Sequence, residues 1–578
     1  MGNKMNRQKT GLRYSLLATV LAGSAVLAAP PGSQPSVPIP APQDDSRAAV
    51  PNPGTGNFVQ TLIRDLRARG LEVSVGYPRL YTPADCADSY AVFRNCFGNN
   101  PASPYLMPIV KPWPEEYVDP AMKDGFGKTR PGYSATYRLD PREAIIVFGR
   151  MPPPAKYMGL QTWMFGTKWA RRIAPWDVEA CVFYASQANE MTQYFFTTFP
   201  PFSNMTHCFT RPDAEGRVLS LSSINNNINN FVMRKQSGDP WDEIRYFVIT
   251  PDRRTDAAVR GTLQGLGVDE GEIFTEEIPE SFEDSDYEPD FPFGQSPAVG
   301  PLGLGREAVD FTTAIRYAMP DNPRAANAWL KSLPLTVLRV RRPSWEPEPE
   351  RYGPREADDR TGKDESSLLS DDFDELIKAV KRRAASQGWM IEEEEDRKMI
   401  DIVRKLGQFG PACRAIGMNC LADGQDASYF FAQPRPLDTG HIYATVGTLA
   451  TETGNATYVG LSVNDAALLK GAFNVDHTKL KGSASSYDSE VPRPATLEKF
   501  FVRFFARDCD AIADLTYGEC TTVTPDMVPL ASDDDAMGDE KLRGWFSMAV
   551  RSYVKPGSER GPDPGKQLAP HALTFYVP

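Results

Sequence analysis

The chain has 578 residues, 41% hydrophobic, 11% aromatic and 24% charged, an ordinary globular mix that excludes a disordered, fibrous or wholly membrane-embedded protein. Its 63 Lys and Arg against 75 Asp and Glu leave a net charge of -12. That charge repels phosphate backbones, no basic run offsets it, and nucleic acid is therefore excluded as a partner. The 51 prolines point to loops and strand edges rather than long helices.

At the N-terminus Lys4, Arg7, Lys9 and Arg13 precede an uncharged run from Tyr14 to Ala29 and then Pro30 and Pro31. This is the three-part pattern of a secretory signal peptide, residues 1–28, with Val26 and Ala28 fitting cleavage after Ala28 or Ala29. The run is shorter than the roughly 20 residues a spanning helix needs, so no membrane span is expected in the mature chain. Residues 29–54 are proline-rich without apolar periodicity and read as a disordered spacer.

The folded part reads as α+β, strand-rich, with two mixed sheet domains, short helices and long proline-rich loops: an N-terminal domain 55–342, a linker 343–371 and a C-terminal domain 372–578. In chain order, Asn57 to Gly70 predicts a helix with Phe58, Leu62, Ile63 and Leu66 on one face, followed by a strand to Val75. Strands are predicted at Tyr133 to Leu139, Glu143 to Arg150, Tyr157 to Phe165, Ala180 to Ala185 and Arg217 to Leu221. Ile224 to Val232 has helical spacing, which would turn its asparagines mostly to solvent. Ile244 to Thr250 reads as a buried strand, Thr255 as the cap of a helix through Leu263, and Ile273-Phe274 as the return of a βαβ-like unit. The acidic, Pro/Gly-rich loop 269–305 carries Asp284, Asp286, Glu288 and Asp290, whose alternation suggests calcium ligands. Pro289 and Gln295 break the EF-hand pattern, and a solvated loop is expected.

Val309 to Tyr317 and Leu335 to Val340 read as strands around a short helix ending at Leu330. Two helices are predicted at Asp372 to Gln387 and Ile391 to Leu406. Ile442 to Glu452 and Ala456 to Asn464 read as a hairpin about Thr453-Gly454-Asn455, and Lys499 to Ala506 and Ala572 to Val577 as further strands. No repeat of the two halves is visible in motifs.

The eight cysteines fall into close couples, predicting disulfides Cys86–Cys96, Cys181–Cys208, Cys413–Cys420 and Cys509–Cys520 in an oxidising compartment, secreted or periplasmic. No CxxC occurs and His207 beside Cys208 has no partner at zinc spacing, so no metal is expected. Glycine-loop nucleotide motifs, GxSxG and HExxH are absent, so no cofactor is expected and the catalytic residues stay unassigned. In a Ser/His/acid hydrolase the base would be His441 or His477, at element boundaries, while His571 lies near the C-terminus. Tyr157, Trp163, Trp169 and Trp176 with Lys168, Arg171 and Arg172 could build an aromatic platform, although aromatics in strands more often belong to a core. Asn204 and Asn455 head glycosylation sequons. The composite reading is an exported protein that binds an extracytoplasmic ligand or protein in the cell envelope or outside the cell; the alternative is a secreted hydrolase of glycans or esters with no local motif.

Overall fold

A computed structural model describes residues 56–93, 96–97, 99–120, 124–168, 217–283, 298–392, 397–401, 420, 422–538 and 540–577. The signal segment, the spacer, Cys181, Cys208, Cys413, His207, Asn204, Trp169, Arg171, Arg172, Trp176, the strand expected at 180–185 and the acidic group at Asp284 to Asp290 lie outside the described residues. Within them the fold is α+β, with two sheet domains.

In the first half, Leu62 and Leu66 recur at helical spacing, so Gly56–Ala68 folds as a helix that ends in Gly70 at φ 89. It packs with the helix Arg253–Gly265 on a sheet ordered Glu72–Val75, Leu335–Arg341, Glu143–Arg150, Ile244–Thr250 and Ile273–Glu277. The last two strands are parallel and the other neighbours antiparallel. The connecting helix is capped by Asp252, whose carboxylate accepts the Arg254 N–H; the expected cap, Thr255, is buried one turn in. A second sheet runs Tyr77–Tyr81, Tyr105–Ile109, Asp310–Pro320, Ala155–Lys168 and Arg217–Ser223, antiparallel throughout. The main core lies between the two sheets, with Ile145, Val147, Leu160 and Ile315 among its side chains.

The second half is built alike. A helix Glu365–Ser386, ended by Gly388 at φ 83, covers a sheet ordered Met390–Ile391, His571–Tyr576, His441–Thr448, Phe500–Ala506 and Cys520–Thr522. Again only the last pair is parallel. The fourth sheet runs Ile400–Asp401, Ala427–Phe431, Trp545–Tyr553, Tyr458–Asp465 and Lys470–Asp476, all antiparallel, with a core of Leu461, Phe501, Phe505 and Val550 between it and the third. Strand for strand, the order, direction and chain sequence of the first two sheets recur in the last two, a repeat that motif searching of the sequence does not reveal.

Several expectations fail for identifiable reasons. Residues 133–139 make only isolated bridges, Ser134 to Val110 and Tyr137 to Phe311. Ile224 to Val232 is not one helix: Ile228–Asn229 pairs with Gly159 and Leu160, and the helix Asn230–Ser237 starts after Asn229, which caps it. Asn225, Asn227, Asn229 and Asn230 are buried rather than solvated, each hydrogen bonded. The run Ile391 to Leu406 has no continuous apolar stripe, and its described part forms short strand pieces that complete the third and fourth sheets. The strands expected as a hairpin about Gly454 enter different sheets; Ala450–Thr453 is a helical turn with Gly454 at φ 82 as its C-cap.

Candidate functional site

The second and fourth sheets turn their outer faces toward each other. On Ala155–Lys168 Met158, Leu160 and Met164 enter the first-half core, while the alternate Tyr157 and Trp163 face the seam, as the period of two requires. Tyr157 and Trp163, the candidate platform residues that are described, are fully enclosed there.

At the centre of the seam Asp426 of the second half reaches the first. Its carboxylate accepts from Arg316 Nη2 at 2.9 Å and from the Tyr157 hydroxyl at 2.7 Å, and all three side chains are buried. Burial pulls the Arg316 guanidinium down, but Asp426 outweighs it and the group stays charged. Burial, then Asp426 against Arg316, holds the Tyr157 hydroxyl protonated. Glycine at 159 is required, since a Cβ would stand 2.7 Å from the Tyr157 hydroxyl oxygen and 2.8 Å from Asp426 Oδ2. On one flank Ser223 N donates to Asp423 Oδ1 at 2.7 Å and Gln425 Nε2 donates to Ser223 Oγ at 2.7 Å. On the other, Asn100 of the first half donates to the Tyr553 hydroxyl at 3.2 Å. Apart from Arg316 Nε, which is buried without a hydrogen-bond partner among the described residues, these groups bond chiefly to one another, which is the signature of a structural network.

Outside this network the seam opens into a groove of about 490 Å³. Phe231 and Lys235 from the helix Asn230–Ser237 line one wall, Asp358 and Asp359 the connecting segment, and Ser558 to Arg560 the other wall. Lys235 Nζ is paired with Glu559 at 2.6 Å, and Arg560 donates to the Asp358 carbonyl and, at 2.8 Å, to Gln425 Oε1. The groove therefore keeps a net negative rim at Asp358 and Asp359. Burial, then the neighbouring Glu559, raises the Asp358 carboxyl above the usual range.

The histidines do not converge. His441 sits beside Asp438, Nδ1 to Oδ1 2.6 Å, and between the rings of Tyr443 and Tyr576. His477 opens a helical turn next to the Tyr458 ring, and burial lowers its pKa. His571 packs on Phe373. No serine or cysteine is hydrogen bonded to either candidate base among the described residues. Asn455 is fully enclosed and bonded to Glu365 and Lys363, which removes it as a glycosylation acceptor. Disulfides join Cys86 to Cys96 and Cys509 to Cys520, with Cα separations of 5.3 and 5.7 Å, and Cys420 is also disulfide-bonded. Among the described residues no group of side chains is arranged to hold a metal ion and no helix is long and apolar enough to cross a membrane.

No family model matches the chain, and no curated protein matches it in sequence. Among solved structures it is similar to an uncharacterised protein from Burkholderia cenocepacia, at 9% identity over 92% of each chain with a TM-score of 0.33. It is also similar to the VPA0106 protein from Vibrio parahaemolyticus, at 9% identity over 76% of this chain and 87% of that one, with a TM-score of 0.27.

Proposed function

We propose that this is an exported protein that works by binding, with its ligand seated in the groove lined by Phe231, Lys235, Asp358, Asp359 and Glu559. The observation that carries the reading is the composition of that groove: an aromatic ring, a net acidic rim and no nucleophile paired with a base. The Ser558 hydroxyl is turned to the Lys555 and Arg560 carbonyls. A ring beside carboxylates suits a ligand with a cationic nitrogen, an amine or a guanidinium. Calorimetry with spermidine as the probe is expected to show saturable binding that weakens about tenfold in the Asp358→Asn, Asp359→Asn double variant. Absence of heat, or equal affinity in the variant, would remove the groove as the binding site.

A second reading, a secreted glycan hydrolase, is favoured by one feature, the Asp358 carboxyl raised by burial and lying beside Glu559, because glycosidic cleavage uses a pair of carboxyl groups of which one acts as a protonated acid. Reducing-sugar release abolished by Asp358→Asn would select it.

Export is supported by the charged and apolar pattern of residues 4–29 and by the disulfides. The mature protein is expected to begin at Ala29 or Pro30 and to carry Cys181–Cys208 and Cys413–Cys420 bridges. N-terminal sequencing and a disulfide peptide map of exported material check both; an intact Met1, or free thiols at these positions, would overturn the reading.

A further inference from the structure

The repetition of the two halves extends to residue register. Arg316 stands opposite Gly159 on one side and Tyr105 on the other; Arg551 stands opposite Gly460 and Tyr429. Two residues before each glycine is a tyrosine whose hydroxyl folds back over it: a Cβ on Gly460 would come 2.9 Å from the Tyr458 oxygen, and one on Gly159 2.7 Å from that of Tyr157. Arg316 donates to Gln161 and Arg551 to Ser462, again matched positions, two residues beyond the glycine. The short segments Tyr157-Met-Gly-Leu160 and Tyr458-Val-Gly-Leu461, and Phe311-Thr-Thr-Ala-Ile-Arg316 and Phe546-Ser-Met-Ala-Val-Arg551, are the trace of this in the sequence.

Backbone strain repeats as well. Leu221 and Leu469, at φ 45 and 48, each precede by two the residue paired with a matched position, Ser223 with Trp163 and Gly471 with Asn464. Met319 and Val554, both at positive φ, follow matched strand positions. Such conformations are uncommon for branched or bulky side chains, so their coincidence at equivalent places is not a product of shared strand order alone.

The contacts between the halves are reciprocal. Cys96 and Cys420 each lie nine residues ahead of the matched tyrosines Tyr105 and Tyr429. Cys96 N donates to the Leu468 carbonyl at 2.8 Å, and Cys420 N to the Ser220 carbonyl at 2.7 Å, where Leu468 and Ser220 are themselves equivalent. Three residues on, Asn99 presses its carbonyl onto Gly471, while Asp423 accepts from Ser223, the counterpart of Gly471. Residue i of one half touches j of the other, and j of the first touches i of the second. This is the defining property of an isologous, two-fold interface between identical subunits.

We propose that the chain is a tandem of two equivalent repeats, residues 56–341 and 365–576, that pair as two copies of one protein pair across a two-fold axis, and that hold together without the connecting peptide. The partner of each repeat's seam surface is thus the other repeat. The repeats then differ where function was added: the helix Asn230–Ser237 corresponds to the single turn His477–Leu480, and its extra length carries Lys235 into the groove.

The test starts from the full chain, with specific protease sites inserted between Ser344 and Trp345 and between Lys363 and Asp364, so that double cleavage breaks the covalent link between the halves and a wash in moderate denaturant below the unfolding midpoint removes residues 345–363. The fragments are expected to stay a 1:1 complex in native mass spectrometry at about 1 μM, and Asp426→Ala in the same cleaved protein to weaken it about 100-fold. Separation of the unmutated fragments would overturn the proposal. On the unmodified chain, hydrogen exchange provides a second readout that no insertion can disturb. The Cys96 and Cys420 amides are expected in the same slow class, and loop-like exchange at either one would show that the interface is not reciprocal.

Discussion

Asp426→Ala is expected to cost about 3 to 5 kcal/mol, measured by urea unfolding at neutral pH, because it leaves Arg316 charged, buried and without its anion. Arg316 is 3% exposed and Asp426 fully enclosed, so water cannot take the carboxylate's place. What remains near the guanidinium is Gln161 Oε1 at 3.4 Å and the rings of Tyr157 and Trp163 at 5.5 and 5.8 Å, which do not supply a negative charge. The Tyr157 hydroxyl loses its acceptor in the same step. Removing both charges relieves this penalty, so Arg316→Met with Asp426→Leu is expected to recover most of the loss. A single-variant cost below about 1 kcal/mol, the range of an exposed pair, would mean that the seam is solvated and that Asp426 does not anchor it.

The elements whose apolar pattern is purely local were legible. Ile244 to Thr250 and Lys499 to Ala506 are apolar runs buried on both faces, and the stripe of Leu62, Ile63 and Leu66 specifies its helix wherever it docks. The apparent hairpin about Gly454 failed because turn chemistry fixes a local reversal and not which sheet each arm joins. The asparagines at 225 to 230 failed because burial of polar groups depends on partners far along the chain: Asn229 reaches the Glu559 carbonyl and Gln425 N reaches Asn227. The same distance hid the seam. Arg316 and Asp426 are 110 residues apart and neither sits in a motif. The usable signal was a recurrence of Tyr-x-Gly-Leu followed, well downstream, by Ala-Ile-Arg or Ala-Val-Arg. It carries too few residues to stand out until strand registers align it.

The pH dependence of stability should be governed in part by Glu276, and Glu276→Gln is expected to remove that part. This side chain is 1% exposed on the inner face of the strand Ile273–Glu277; burial pushes its pKa up to about 8, only partly offset by the polar neighbours Asn225 and Thr162, which favour the carboxylate. Thr162 N donates to Oε1 at 2.7 Å, while Oε2 and the neighbouring Asn225 Oδ1 have no partner. Taking the carboxylate out of water outweighs what these neighbours offer it, so the folded protein favours the neutral acid. The unfolded chain ionises near 4.5 and the folded one near 8. Below 4.5 both states hold the proton and nothing is lost; as the pH rises from 4.5 to 8 the unfolded state alone releases it, and stability falls by an amount on the order of 5 kcal/mol. Above 8 both are ionised and the loss is complete. The amide of Glu276→Gln keeps the Thr162 contact through its oxygen and stays uncharged at every pH. Other raised carboxyls, Glu143 at about 7 and Asp465 at about 6, titrate identically in both proteins and cancel from the difference. Variant and parent are thus expected to be of similar stability at pH 4 and to diverge in the variant's favour up to pH 8. Denaturation curves that stay parallel across that range would show that Glu276 keeps an ordinary pKa and that the interior around Thr162 admits water.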